Sequence, residues 1–106
     1  MGDGGSEGLV EACDLFLDGV PSRVAGIRDT LAERRFEDAG RGAHTLRGSA
    51  GAFGARRLSA LTVTLERLCL EGDTAGATAV LDEMETEFRI FRAVLVARLG
   101  RLPSSR

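Results

Sequence analysis

The chain has no lysine, no tryptophan and no tyrosine, and it carries a single histidine, two cysteines and two prolines in 106 residues. Each scarcity removes a class of chemistry. A phosphate-binding P-loop needs a lysine, and a Gly-x-Gly-x-x-Gly run is also missing, so nothing here is suited to binding ATP and the chain is not expected to phosphorylate itself. One histidine and two widely separated cysteines leave a zinc site short of ligands, so no metal and no cofactor are expected. The residues suggest no serine, histidine and acid set. The only aromatics are five phenylalanines and the net charge is −2. That offers neither a stacking platform for bases nor a basic field to recruit nucleic acid. No apolar run approaches a membrane span. The N-terminus is Gly-rich and acidic, unlike a signal peptide, and a cytoplasmic location is expected. Cys13 and Cys69 sit beside apolar neighbours at helical positions and read as buried free thiols rather than a disulfide.

What the chain does have is helical periodicity and no strand signal. A short first helix is expected from about Glu7 to Asp18, with Leu9, Cys13, Phe16 and Leu17 inward. Gly19 and Pro21 mark a stop and a restart. A second helix follows to Arg34, burying Val20, Val24, Ile27 and Leu31, with Arg34 and Arg35 suiting its C-terminal dipole. The third spans about Phe36 to Phe53, with Glu37 and Asp38 in its first turn, and Gly54 ends it. The fourth runs from about Ala55 to Glu71 over Leu58, Leu61, Leu65 and Leu68, and Gly72 ends it. Asp73 is placed to cap the last helix. That helix runs to about Arg101 and buries Ala77, Leu81, Met84, Phe88, Phe91, Leu95 and Leu102, while Ile90, Val94 and Val96 fall off its stripe and await cover by the first helix, with a dimer contact as the second reading. Short connections favour antiparallel neighbours. The expected fold is all-α: an antiparallel up-down four-helix bundle with a short additional N-terminal helix, one monomeric domain over 7–102 with flexible tails at 1–6 and 103–106.

The third helix holds the histidine. Ala39, Ala43, Leu46, Ala50 and Phe53 form its buried stripe. At about 100° per residue, His44 points roughly 140° away from that stripe. Gly40, Gly48 and Gly51 share its outer face, and Arg41 and Arg47 flank it. Three glycines inside a helix cost roughly 2–3 kcal/mol relative to alanine, so a face stripped of bulk around one imidazole calls for a reason. Compositional drift offers one, since the chain has 14 glycines and 14 arginines and no lysine; close approach of a partner offers another, with Gly40, Arg41, Gly48 and Gly51 as the docking face. Arg41, Arg56 and Arg57 are expected to make that end of the chain locally positive. Glu66 stands about as far after the Gly54/Ala55 turn as His44 stands before it, which puts the two at nearly the same height in an antiparallel pair.

The run His44-Thr45-Leu46-Arg47-Gly48-Ser49-Ala50, followed by Phe53-Gly54, resembles the signature of histidine phosphotransfer domains: histidine, an apolar residue two on, a basic residue three on, glycine four on, two small residues, then an apolar residue and glycine. The family usually has lysine where this chain has Arg47, which keeps the charge and exchanges a compact ammonium for a planar fork. The resemblance implies a phosphocarrier of a two-component phosphorelay rather than an enzyme. His44 would accept a phosphoryl group from a receiver-domain aspartate and pass it to another receiver. Arg47 would stabilise the phosphoryl oxygens and Glu66 would orient the imidazole. The implied partners are response-regulator receiver domains, including one within a hybrid histidine kinase; the receiver would bring the Mg²⁺. Two other readings stand beside it: a substrate domain phosphorylated from ATP by a separate kinase core, and a helical adaptor whose histidine stays unmodified.

Overall fold

The computed structural model describes residues 3–52 and 55–99, with side chains for 15–52 and 55–98. Four helices account for nearly all of it: α1 (Asp3–Ala32), α2 (Phe36–Ala52), α3 (Arg56–Leu70) and α4 (Thr74–Leu99), with no strand among the described residues. Each helix packs on its neighbours in the chain, and α1 also packs on α4.

The two helices expected before Phe36 are one element. α1 passes through Pro21 without a break, and it takes in residues 3–6 that the composition assigns to a tail. A proline inside a helix costs about 3 kcal/mol. The offset is visible in the packing: Phe16, Leu17, Val20, Val24, Ile27 and Leu31 are all buried and recur at helical spacing on both sides of the proline. A break at Gly19 would put the two halves of that stripe out of phase. The tail expected at 103–106, Phe53 and Gly54 at the end of α2, and Leu102 lie outside the described residues, as do the side chains of Leu9 and Cys13.

The core is close to the one the periodicity predicts. Ala39, Ala43, Leu46, Ala50, Leu58, Leu65, Ala77, Leu81, Met84 and Phe88 are buried, and Leu61, Leu68, Phe91 and Leu95 pack partly buried against them. Phe16 meets Phe88 and Phe91 edge-on, tying α1 to α4. Thr62 is buried as well, its hydroxyl satisfied by the carbonyl of Ser59. Ile90 and Val94 are not covered by α1; they stay 53% and 48% exposed.

The helix ends follow from capping chemistry. Gly72 takes φ +74° after α3, with its N–H on the Cys69 carbonyl and that of Asp73 on the Leu68 carbonyl. This is the paired bonding of a Schellman end, for which glycine is the favoured residue. The same pairing closes α1, where Arg34 and Arg35 bond the carbonyls of Leu31 and Thr30. There Arg34 adopts φ 60° itself, and its guanidinium lies over the Phe36 ring. The arginine therefore terminates the helix rather than answering its dipole from the last turn. Asp73 accepts the Gly76 N–H at 2.9 Å, the expected N-cap of α4. Replacing it, Asp73→Ala, is expected to cost about 1 kcal/mol of stability, read as a lower denaturant midpoint at unchanged slope.

Candidate functional site

α2 displays His44 to solvent, with 68% of its side chain exposed. The buried face of the helix is Ala39, Gly40, Ala43, Leu46 and Ala50, small residues apart from Leu46. Contacts between α2 and α3 pair Gly40 with Leu70, His44 with Glu66, and Gly51 with Ser59. Glu66 thus arrives beside the imidazole from the neighbouring helix, at the height that counting from the turn requires. Its Oε1 lies 3.5 Å from His44 Nδ1 and 3.9 Å from an Arg47 guanidinium nitrogen. The first distance exceeds the usual 2.7–3.2 Å of an N–H···O bond, but it sets a half-buried carboxylate against one ring nitrogen only. With the Nδ1 proton facing that carboxylate, the lone pair falls on Nε2, and an imidazole lone pair can attack phosphorus.

A shallow cavity of about 390 Å³ adjoins the ring. It is lined by Glu37, Gly40, Arg41, His44, Thr45, Glu66 and Leu70. Three of these escape a reading of the sequence. Glu37 lies two turns before His44 on the same face, a spacing that could have found it. Leu70 is an apolar residue left off the α3 stripe, 59% exposed, and that mismatch was its signal. Thr45 gave none; its hydroxyl bonds the Arg41 carbonyl one turn back.

The flanking cations are engaged. Arg41 pairs with Asp38 through an Oδ1 contact, and Arg35 takes Oδ2 at 2.6 Å. Arg35 beside it holds the Asp38 carboxyl below the usual carboxylate range, with Arg41 adding to the effect. Arg56 and Arg57 do not line the cavity at His44. They border a groove between α3 and α4 with Ile90 and Val94, where Arg57 meets Glu87 at 3.2 Å.

The glycines divide into kinds according to what lies against them. Gly48 is exposed, and a Cβ there would meet nothing within 4 Å; at Gly51 only the Ser59 hydroxyl lies as near as 4.0 Å. Gly40 is buried instead of open, because Leu70 reaches across from α3 and a Cβ would come 3.0 Å from its Cδ2. Its small size serves that contact, which corrects its placement on the free docking face. Gly42 belongs to no motif in the sequence, yet a Cβ there would meet Ile27 Cγ1 at 2.9 Å.

Beneath the site, Cys69 is a buried free thiol. Burial pushes its pKa up to about 11, with the Glu66 charge contributing, so it is an inert packing residue at neutral pH.

No helix among the described residues is long and apolar enough to cross a membrane. No solved structure matches the chain. One curated relative is histidine-containing phosphotransfer protein 2 of Arabidopsis thaliana, 26% identical over 96 residues that cover 88% of this chain and 62% of that protein. The chain therefore spans somewhat under two thirds of that relative's length. The family described as Hpt domain matches residues 11–97, which takes in all of α2 and α3 with His44, Arg47, Gly48 and Glu66. An exposed histidine on a helix of small residues, with a basic residue one turn on and a carboxylate at its inner nitrogen, is thus set in a chain that belongs to the Hpt, or histidine phosphotransfer, domain family.

Proposed function

We propose that the chain is a phosphocarrier of a two-component phosphorelay, with His44 as its phosphoryl acceptor. The observation that carries this reading is the asymmetric imidazole: Nδ1 faces Glu66 and the side chain is largely exposed to solvent. Nε2 attacks the phosphorus of an aspartyl phosphate on a receiver domain. The Nε2–P bond forms, the bond from phosphorus to the aspartyl oxygen breaks, and the carboxylate leaves; the reverse exchange hands the group to a second receiver. Glu66 keeps its proton on Nδ1 and balances the charge that the ring gains. Arg47 contributes charge-assisted hydrogen bonds to the phosphoryl oxygens. The protein has no ATP site of its own in this reading, works in the cytoplasm, and acts as a monomer.

Receivers dock over Gly48, Gly51 and Arg41. The bare backbone at Gly48 supports this, as does an apolar groove beside it between α1 and α2, lined by Leu15, Gly19, Ser49 and Ala52 among others. The up-down course of the bundle belongs to the same proposal. It is supported by the falling register along α2 and α3, from Gly40 with Leu70 to Gly51 with Ser59. It is supported also by α1 and α4, where Phe16 meets Phe88 and Phe91 while Arg28 meets Asp82 and Glu85.

A phosphotransfer assay tests the reading. The chain is offered phosphorylated receiver domains in one arm, and ATP with separate histidine kinase cores in the other. Rapid transfer from a receiver to His44 is the expected result. Labelling only in the kinase arm reassigns it as a kinase substrate domain, and no labelling in either leaves it an adaptor. Within this reading, Glu66→Ala is expected to slow transfer about tenfold, the equivalent of about 1.4 kcal/mol in the barrier, at little cost in stability. Transfer at the normal rate would remove Glu66 from the mechanism.

A further inference from the structure

Resting on the reading of His44 as the acceptor, we propose that Arg41 is a second ligand of the phosphoryl group, parked on Asp38 until the group arrives. The family signature begins at the histidine and assigns Arg41 nothing.

Three observations carry this. The first is direction. On α2, Arg47 lies about 60° to one side of His44 and Arg41 about 60° to the other. Glu66 sits on the Arg47 side, in contact with both Nδ1 and the Arg47 guanidinium. The two ring nitrogens diverge, so Nε2 lies on the edge of the ring turned from Glu66. Helical side chains also lean toward the N-terminus, over the preceding turn, and for His44 that turn contains Gly40 and Arg41. The cavity lined by all three side by side fits this lean.

The second is that Arg41 can leave its partner cheaply. Asp38 Oδ1 holds Arg41 while Oδ2 holds Arg35, which donates from Nε at 2.9 Å and from a terminal nitrogen at 2.6 Å. Departure of Arg41 leaves that carboxylate paired. Arg41 is 73% exposed, and exposed pairs of this kind contribute little stability. A phosphoryl dianion is the stronger acceptor.

The third is charge. The charged groups beside His44 are Glu37, Arg41 and Arg47 from α2 and Glu66 from α3. With Arg47 alone the site would already be net negative before a dianion entered. Arg41 brings it to neutrality.

The test needs no partner protein. Phosphoramidate donates directly to imidazole: the Nε2–P bond forms, the P–N bond to the donor breaks, and ammonia leaves. Phosphorus NMR then follows the second ionisation of the phosphoryl group against pH. Arg41→Ala is expected to raise that pKa by about half a unit, through loss of a neighbouring cation, and to shorten the phosphohistidine half-life. Arg41→Lys should recover most of both. Asp38→Asn, which frees Arg41 while keeping it, should shift the pKa the opposite way. Circular dichroism confirms that each variant is folded. If Arg41→Ala titrates like the wild type while Arg47→Ala does not, Arg41 is no ligand and the proposal fails. A shift in Asp38→Asn that is absent, or of the same sign as in Arg41→Ala, overturns the parking on Asp38. A wild-type chain that takes no label from phosphoramidate overturns the acceptor reading itself, and this inference with it.

Discussion

His44→Gln is expected to abolish phosphorylation of the chain by receiver or by phosphoramidate, while its helical circular dichroism and unfolding midpoint stay unchanged. The structure separates the two effects. His44 is largely exposed, and it meets Glu66 at 3.5 Å, so glutamine removes little packing. A surface substitution of this kind falls within about 0.5 kcal/mol of neutral. Chemically the loss is complete, because an amide has no lone-pair nitrogen able to attack phosphorus and the chain has no second imidazole. The label should also be acid-labile, as an N–P bond is. The hydroxyls nearby are Thr45 and Ser49, which bond the carbonyls of Arg41 and Thr45. Acid-stable label, or label that survives His44→Gln, would move the site to one of them and sink the assignment.

Gly48→Gln separates docking from folding by opposing signs. Gly48 sits one turn from His44 on the open face, and a Cβ there meets nothing within 4 Å. The folded chain alone has room for a side chain, and the helix prefers one by up to about 1 kcal/mol. The melting temperature should therefore hold or rise. A receiver must bring its aspartyl phosphate within bonding reach of Nε2, so its surface passes over this turn, and a long side chain blocks it. Transfer from a receiver is expected to fall by roughly a hundredfold or more, the equivalent of about 3 kcal/mol in the barrier, while labelling by small phosphoramidate continues. Gly42→Ala is the contrasting control. Its new Cβ would press on buried Ile27, and overpacking typically costs about 1–3 kcal/mol, offset in part by helix propensity. There stability should fall while the remaining folded protein transfers normally. The reverse pattern at Gly48, lost stability with intact transfer, would falsify its docking role.

Much of this site was legible without coordinates, for a local reason. A helix turns by about 100° and rises 1.5 Å per residue whatever it packs against. The stripe from Ala39 to Ala50 therefore fixed which face of α2 is buried, and with it the outward direction of His44. The same arithmetic, run through the turn into α3, placed Glu66 at the height of the imidazole, where its Oε1 is found 3.5 Å from Nδ1. Caps are local too. Asp73 and Gly72 announced the start of α4 and the end of α3, and both act there.

Other features depended on which helix lies against which. Gly40 and Gly48 lie one turn either side of His44, about 40° to each side of it, and the wheel sets Gly40 nearer the buried stripe; that Leu70 of α3 is what covers the first, and that nothing covers the second, is a matter of the neighbouring helix. Gly42 looked incidental until Ile27 of α1 came to rest on it. The Gly19–Pro21 break was sound local chemistry, and it lost to a continuous buried stripe that only docking on the rest of the bundle makes worth keeping. Arg57 read as a cation near the site until α4 supplied Glu87. Periodicity and capping are properties of one helix and are written in its own residues. The identity of the neighbour that fills each face is a property of the assembled bundle, set by burial between residues far apart in the chain, and that is what only the tertiary structure decided.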